Sequence, residues 1–253
     1  MENINKPTIP SDLIPMGVPV NAVQSSLGLD FQTFLERLTN FTFTEKLTLQ
    51  GFMKPPLKYE ITLGEKSYIK LKESVDQETT FQKYSSVNCK RLKIRAFYYP
   101  NGDSTTKFHV FTIYKSFTCC CNFKNYSIQV EMASDLGKFL GQVIDIGVGC
   151  YSVREEIITN NEEQLTMITP KKHTSLCCRG IDHYDIPFQI LSGAKIVGNA
   201  TKVFEDSARN IIGLVHFNCN VDPSLKWKQK LMAIAALVMV DIVFFQNSTK
   251  HGF

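Results

Sequence analysis

The sequence predicts a mainly β protein, an antiparallel sandwich or barrel that ends in a single apolar helix. Three observations carry this. From residue 58 onward, apolar and polar residues alternate in short runs, the period of a strand with one buried face. Hairpin-type turn residues punctuate these runs, namely Gly64, Pro100-Asn101-Gly102-Asp103 and Asn160-Asn161. The pattern then breaks at Leu225–Phe245, which holds no Gly or Pro and is rich in Leu, Met and Ala. Composition agrees with a folded domain, since 43% of the 253 residues are hydrophobic and 21% are charged. A chain of this size buries a core without disulfide or metal staples. Its formal net charge of +4 is too small to point to a nucleic-acid partner.

The elements follow in order. Residues 1–28 hold Pro7, Pro10, Pro15 and Pro19 and read as an extended leader. Leu29, Phe31, Phe34, Leu35 and Leu38 recur at helical spacing, with Asp30 as a cap, and predict a short amphipathic helix. Tyr59, Ile61 and Leu63 form one strand, and Tyr68 to Leu71 its partner. Leu92, Ile94 and Ala96 alternate with Arg91, Lys93 and Arg95, and the run Phe108 to Tyr114 comes after the turn. Tyr126 to Met132, Val143 to Ile146 and Ile186 to Ile190 supply further strands. No linker-like composition divides the chain, so a single domain over 29–246 is expected, with a tail at 247–253.

The terminal helix is predicted over 225–246, on the order of 30 Å long at 1.5 Å per residue. Its apolar part is nearly all-round, so protein or lipid must cover it. Leu231 to Phe245 is a run of 15 residues with Asp241 inside it, whereas a spanning helix needs about 20 apolar residues. A core helix is therefore favoured over a membrane span.

The cysteines argue against a disulfide framework, because three of the eight are consecutive (Cys119, Cys120, Cys121) and two adjacent (Cys177, Cys178). No basic region followed by an apolar run opens the chain, so the expected starting compartment is the cytosol. The sequons at Asn40, Asn125, Asn199 and Asn247 are then expected to carry no sugar. His173, Cys177, Cys178, Asp182 and His183 cluster in sequence, but an adjacent Cys pair chelates zinc poorly, and no metal is expected there. The five histidines lie in no nucleophile motif, which leaves an enzymatic reading without a residue to carry it.

The ending Leu225-Lys-Trp-Lys-Gln-Lys230 with LMAIAALVMVDIVFFQ resembles the C-terminal helix of the phospholipid scramblases. Gly28-Leu29-Asp30-Phe31, Tyr59-Glu60-Ile61 with Leu63-Gly64, Cys119 to Cys121 and Leu176-Cys177-Cys178 resemble other blocks of that family, in the same order. The resemblance implies a closed antiparallel β-barrel of about twelve strands around the hydrophobic helix, similar to the tubby C-terminal domain. It implies energy-independent movement of phospholipids between leaflets at a membrane, on the cytoplasmic face and expected at the plasma membrane. A homo-oligomer is among the expectations. The alternative is a membrane-bound, lipid-binding adaptor without transport.

The resemblance also implies a twelve-residue calcium loop before the helix. Here that window is Gly213 to Ser224, with Gly213, Val215, Phe217, Cys219, Val221 and Ser224 at the ligand positions. Calcium loops need oxygen ligands there. The acids are absent and Asp222 stands at a non-ligating position, so calcium is implied by the family but not expected of this chain. Cys119, Cys120 and Cys121 are the expected S-acylation (palmitoylation) sites. Two basic groups are expected to contact the anionic leaflet: Arg91, Lys93 and Arg95 on one strand face, and Lys226, Trp227, Lys228 and Lys230 before the helix. Lys83 and Lys90 lie near the first group in sequence. Cations at a helix N-terminus oppose its dipole, so a compensating partner is expected. Asp241 is the one ionisable group of the apolar stretch.

Overall fold

A computed structural model describes residues 30–46, 56–74, 91–102, 105–116, 126–133, 138–146, 153–169, 185–204 and 215–245. The leader 1–28 and tail 247–253 lie outside the described residues. Twelve strands make a closed antiparallel barrel. They are β1 (Asn40–Glu45), β2 (Lys58–Leu63), β3 (Lys66–Glu73), β4 (Leu92–Tyr98), β5 (Phe108–Lys115) and β6 (Ser127–Met132). The second half comprises β7 (Lys138–Asp145), β8 (Arg154–Thr159), β9 (Leu165–Ile168), β10 (Ile186–Ser192), β11 (Lys195–Phe204) and β12 (Val215–Val221). Each strand pairs with its neighbours in sequence, and β1 closes the ring on β12 through Asn40↔Asn220 to Thr44↔His216. Of the sandwich and the barrel that alternation permits, the chain forms the barrel.

Alternation decides which side chains fill it. Tyr59 and Ile61, Ile69 and Leu71, Ile94 and Ala96, Ile128 and Val130, and Phe188 and Ile190 are all buried, while their polar neighbours are more exposed. Leu63 departs from the period because the register of β2 on β3 shifts between Ile61 and Thr62, which leaves Leu63 only partly buried. Gly64 turns the β2–β3 hairpin with φ +59°, a backbone conformation that favours glycine.

The interior is filled by the apolar helix, as its all-round composition requires. The helix, here α2, runs from Trp227 to Val240 and continues as one π-type turn, Asp241–Phe245. It starts two residues later than predicted, Leu225 lying in the preceding turn. Every residue from Leu231 to Ile242 is buried. α2 packs on the β6–β9 wall, where a Cβ on Gly141 would stand 3.1 Å from Met232 Cε and 2.3 Å from the Ile158 carbonyl oxygen. Gly141 thus lets helix and strand approach closely. Large aromatics line the other side, with Phe43 stacked on Tyr59 at 5.0 Å and Phe217 between Phe43 and Phe188 at 5.7 and 5.9 Å.

The two ends of the barrel differ. One is capped by the predicted N-terminal helix, α1 (residues 30–37), which buries Phe31 and Leu35, with Leu38 just beyond it. Phe31 packs at 5.2 Å from Tyr98 and 6.3 Å from Phe111, and Phe34 at 5.3 Å from Tyr68. The N-terminus of α2 lies at this end, because β12 delivers the chain there. At the other end, here the loop end, the longer connections 47–55, 75–90, 117–125, 147–152, 170–184 and 205–214 join successive strands. These connections lie outside the described residues. The π turn of α2 lies at this loop end.

Candidate membrane-contact site

Lys93 and Arg95 lie along β4 on the outside of the barrel, both half-buried, and Arg91, just before the strand, is exposed. Lys93 Nζ sits 6.0 Å from the centroid of the Tyr114 ring on β5. The cross-strand register extends the basic face: Arg95 stands opposite Lys72, and Lys72 opposite Lys58. Those two lysines drew no attention in the sequence, since only pairing places them beside Arg95. Arg91 precedes β4 at the loop end. Cys119, Cys120 and Cys121 lie outside the described residues, but their connection leaves β5 at Ser116 and rejoins at Tyr126, also at the loop end. Lys83 and Lys90, and the cluster His173, Cys177, Cys178, Asp182 and His183, also lie outside the described residues. Among the described residues no group of three or more His, Cys, Asp and Glu is placed to hold a metal ion. Asn40 and Asn199 are exposed on β1 and β11, while Asn125 and Asn247 lie outside the described residues.

The second basic group sits at the opposite, capped end, and protein partners take up much of it. Lys226 Nζ pairs with Glu162 at 2.6 Å. Lys230 is not a surface residue: it is 1% exposed and its ammonium donates to the Glu36 carbonyl at 2.6 Å. That carbonyl belongs to the last turn of α1, where a cation is favoured by the helix dipole. Burial, offset by the charge of Glu36, lowers the pKa of Lys230. Gln229 accepts from the Lys226 backbone N–H at 3.1 Å and donates to the Glu163 carbonyl at 3.2 Å. Trp227 is partly buried against the core, and Lys228 Nζ lies 5.8 Å from its ring centroid. The compensation for cations at this N-terminus therefore comes from Glu162 and α1. Set at the far end of a helix of about 25 Å from the loop end, this group does not share one docking face with the rim around Arg91.

Inside the loop end, Asp241 meets a partner that periodicity hid. Lys202 Nζ is 2.5 Å from Asp241 Oδ1, and Tyr59 donates its hydroxyl to Oδ2 at 3.1 Å. Both charged side chains are 2% exposed. The ammonium lies 3.7 Å from the Phe245 ring centroid and 4.7 Å from that of Phe217, so aromatic faces replace lost water. Burial lowers the pKa of Lys202 while Asp241 acts in the opposite sense. Burial first, then the Asp241 charge, raises that of Tyr59, which keeps the phenol a donor. This arrangement locks the end of α2 to β2 and β11.

The window Gly213 to Ser224 does not fit a calcium ion. From Val215 to Val221 it is strand β12, whose Phe217, Cys219 and Val221 face the core and whose Asn218 and Asn220 face outward. Asp222 instead accepts from the Ser224 hydroxyl and from its backbone N–H, the latter at 2.8 Å, and these bonds, with Lys195, lower its pKa. A strand cannot wrap oxygen ligands round one ion.

A closed twelve-strand antiparallel barrel threaded by an apolar helix defines the class: a helix-plugged β-barrel. The Scramblase family model matches residues 65–247, which span ten of the strands and all of α2, and the chain belongs to that family. No curated protein and no solved structure matches the chain. Membership implies association with membrane phospholipids. Among the described residues no helix is long and apolar enough to cross a membrane.

Proposed function

We propose that the protein docks on the cytoplasmic face of the plasma membrane through the loop-end rim around Arg91, Lys93 and Arg95. There it promotes energy-independent movement of phospholipids between leaflets. The supporting observation is that the basic face of β4 and the anchor points of the cysteine connection lie on neighbouring strands at one end of the barrel. S-acylation at Cys119, Cys120 or Cys121 would supply the second signal that stable anchoring requires. A polar headgroup needs a polar or hydrated path through hydrocarbon, and the interior of this barrel is filled. Translocation in this reading comes from disturbance of the bilayer by docked barrels, alone or as a homo-oligomer, rather than through the barrel.

The burial of α2 favours a second reading, a lipid-bound adaptor without transport. Extracting α2 would expose every side chain from Leu231 to Ile242, each large apolar one worth about 1.5–3 kcal/mol. A liposome assay with purified protein separates the two readings. Lipid exchange between leaflets above that of protein-free vesicles, without added calcium, supports translocation; none leaves the adaptor. Vesicle flotation tests docking itself. Arg91→Glu/Lys93→Glu/Arg95→Glu should lose at least about a hundredfold in affinity for anionic vesicles, from three lost cations at about 1 kcal/mol each and the repulsion of the added carboxylates. Unchanged flotation would remove the β4 face from both readings. Acyl-biotin exchange should give a signal that replacing the three cysteines by Ser abolishes.

A further inference from the structure

The inner face of the β7–β8 pair ends in two carboxyl groups at the loop end. Asp145 and Glu155 are direct cross-strand partners, 8% and 0% exposed. Neither carboxyl oxygen of Glu155 has a hydrogen-bond partner. Such an orphaned, buried acid is rare in a folded core. Burial first, and the charge of Asp145 second, raises its pKa well above the usual carboxylate range.

Among the described residues the neighbouring elements offer it no cation. β7 contributes Asp145, with Lys138 at the far end of the strand. β9, Leu165–Ile168, carries no charge, and Arg154 and Glu156 on β8 itself point outward. α2 presents apolar residues to this wall, its lysines lying at the capped end and Asp241 beside Lys202. The buried Lys115 on β5 stands 5.6 Å from the Tyr126 ring centroid. Around the acid pair the barrel end is held by Ile146 N–H to Arg154 O at 2.9 Å and Thr169 N–H to Val153 O at 3.1 Å. Val153 N–H adds a bond to Thr169 Oγ1 at 3.0 Å.

We propose that Glu155 and Asp145 form a proton-operated latch: with Glu155 neutral the β7–β8 ladder stays closed at the loop end, and loss of that proton opens it. Closed, the side chain is a carboxylic acid that adds no charge beside Asp145. Deprotonated, it is an anion without a donor next to a second acid, and water is reached only by separating the strand ends. The closed form binds the proton more tightly than the open one. Opening therefore grows more favourable as pH rises from the ordinary carboxyl range to the closed-state value, and levels off above it.

The test is amide hydrogen exchange of the full chain as a function of pH. Protection factors, corrected for intrinsic exchange, at Ile146, Val153 and Thr169 should fall up to about tenfold per pH unit across that window. At Asn160 and Glu162, at the capped end, they should stay flat. Glu155→Gln, neutral at every pH, should hold full protection throughout, and Asp145→Asn should give a smaller total loss that levels off at lower pH. Infrared spectra at neutral pH should contain the carbonyl band of a protonated carboxylic acid, lost in Glu155→Gln. Equal pH profiles in wild type and Glu155→Gln, absence of that band from the wild type, or failure of the Gln variant to fold would each overturn the latch. None of these readouts involves lipid, so the latch and the membrane function stand or fall separately.

Discussion

Removing Lys202 alone should unfold this barrel more readily than almost any other single change of charge. The pair with Asp241 is 2.5 Å long with both side chains 2% exposed. At an effective dielectric constant of about 20 its Coulomb attraction is roughly 7 kcal/mol, offset by a desolvation cost of several kcal/mol per ion. The net contribution of the pair is therefore small, but half a pair is not. Lys202→Met takes away the buried cation that pairs with the Asp241 carboxylate, which keeps its bond from the Tyr59 hydroxyl, and removes the cation from Phe217 and Phe245. A loss of about 3–5 kcal/mol is expected, and with a urea slope of about 3 kcal/mol/M the midpoint should fall by 1–2 M or about that. The single tryptophan, Trp227, and far-UV circular dichroism report the transition together. Making the site wholly apolar with Lys202→Met/Asp241→Leu/Tyr59→Phe should restore most of the loss, because nothing charged or polar is then left buried. A midpoint for Lys202→Met within about 0.3 M of wild type would refute the reasoning, as would a triple variant no better than the single one.

Other substitutions test the remaining joints. Gly141→Ala places a Cβ 2.3 Å from the Ile158 carbonyl and should cost about 1–3 kcal/mol or more, read as a lower thermal midpoint. Phe31→Ala empties the aromatic contact of α1 with Tyr98 and Phe111, and a loss of about 3–5 kcal/mol is expected in urea unfolding. Gln229→Ala removes both the bond that caps α2 and its tie to Glu163, about 1–2 kcal/mol together, whereas Lys228→Ala should be within about 0.5 kcal/mol of wild type. Calorimetry with calcium should give no heat tied to Gly213–Ser224; saturable binding abolished by substituting Asp222 would reverse that reading of β12.

The strands that were easiest to read have a clean division between a core face and a solvent face. β2, β4, β6 and β10 have apolar residues at every inward position of the alternation. β8 and β11 lack that signal because each turns a charged residue inward, Glu155 on one and Lys202 on the other. β1, Asn40–Glu45, is hard to see in the sequence because it follows a helix with few turn residues between them. The same inward charges make up the parts of the molecule that the sequence could not display. Asp241 was conspicuous in an apolar run, but its partner lies 39 residues away on another element, and only closure of the ring brings them together. Lys230 reads locally as a lipid contact like the lysines beside it, since a local reading has no access to Glu36, nearly 200 positions upstream. On β4 the three basic residues were legible from alternation alone, while their neighbours Lys58 and Lys72 needed the register.

Closure of the ring through β1 and β12 has a consequence for how the protein is made. Asn40 must wait for Asn220, 180 residues later, before its strand has a second partner. The helix that fills the interior is synthesised later still. A nascent chain emerging from the ribosome therefore carries an unpaired edge and an empty lumen until β12 and α2 have been made, and the barrel assembles only after both have left the ribosome. Such long-range topology folds slowly, with aggregation-prone edges exposed in the interval. Premature termination anywhere before Phe245 would leave not a shorter barrel but a chain that chaperones retain and proteases remove.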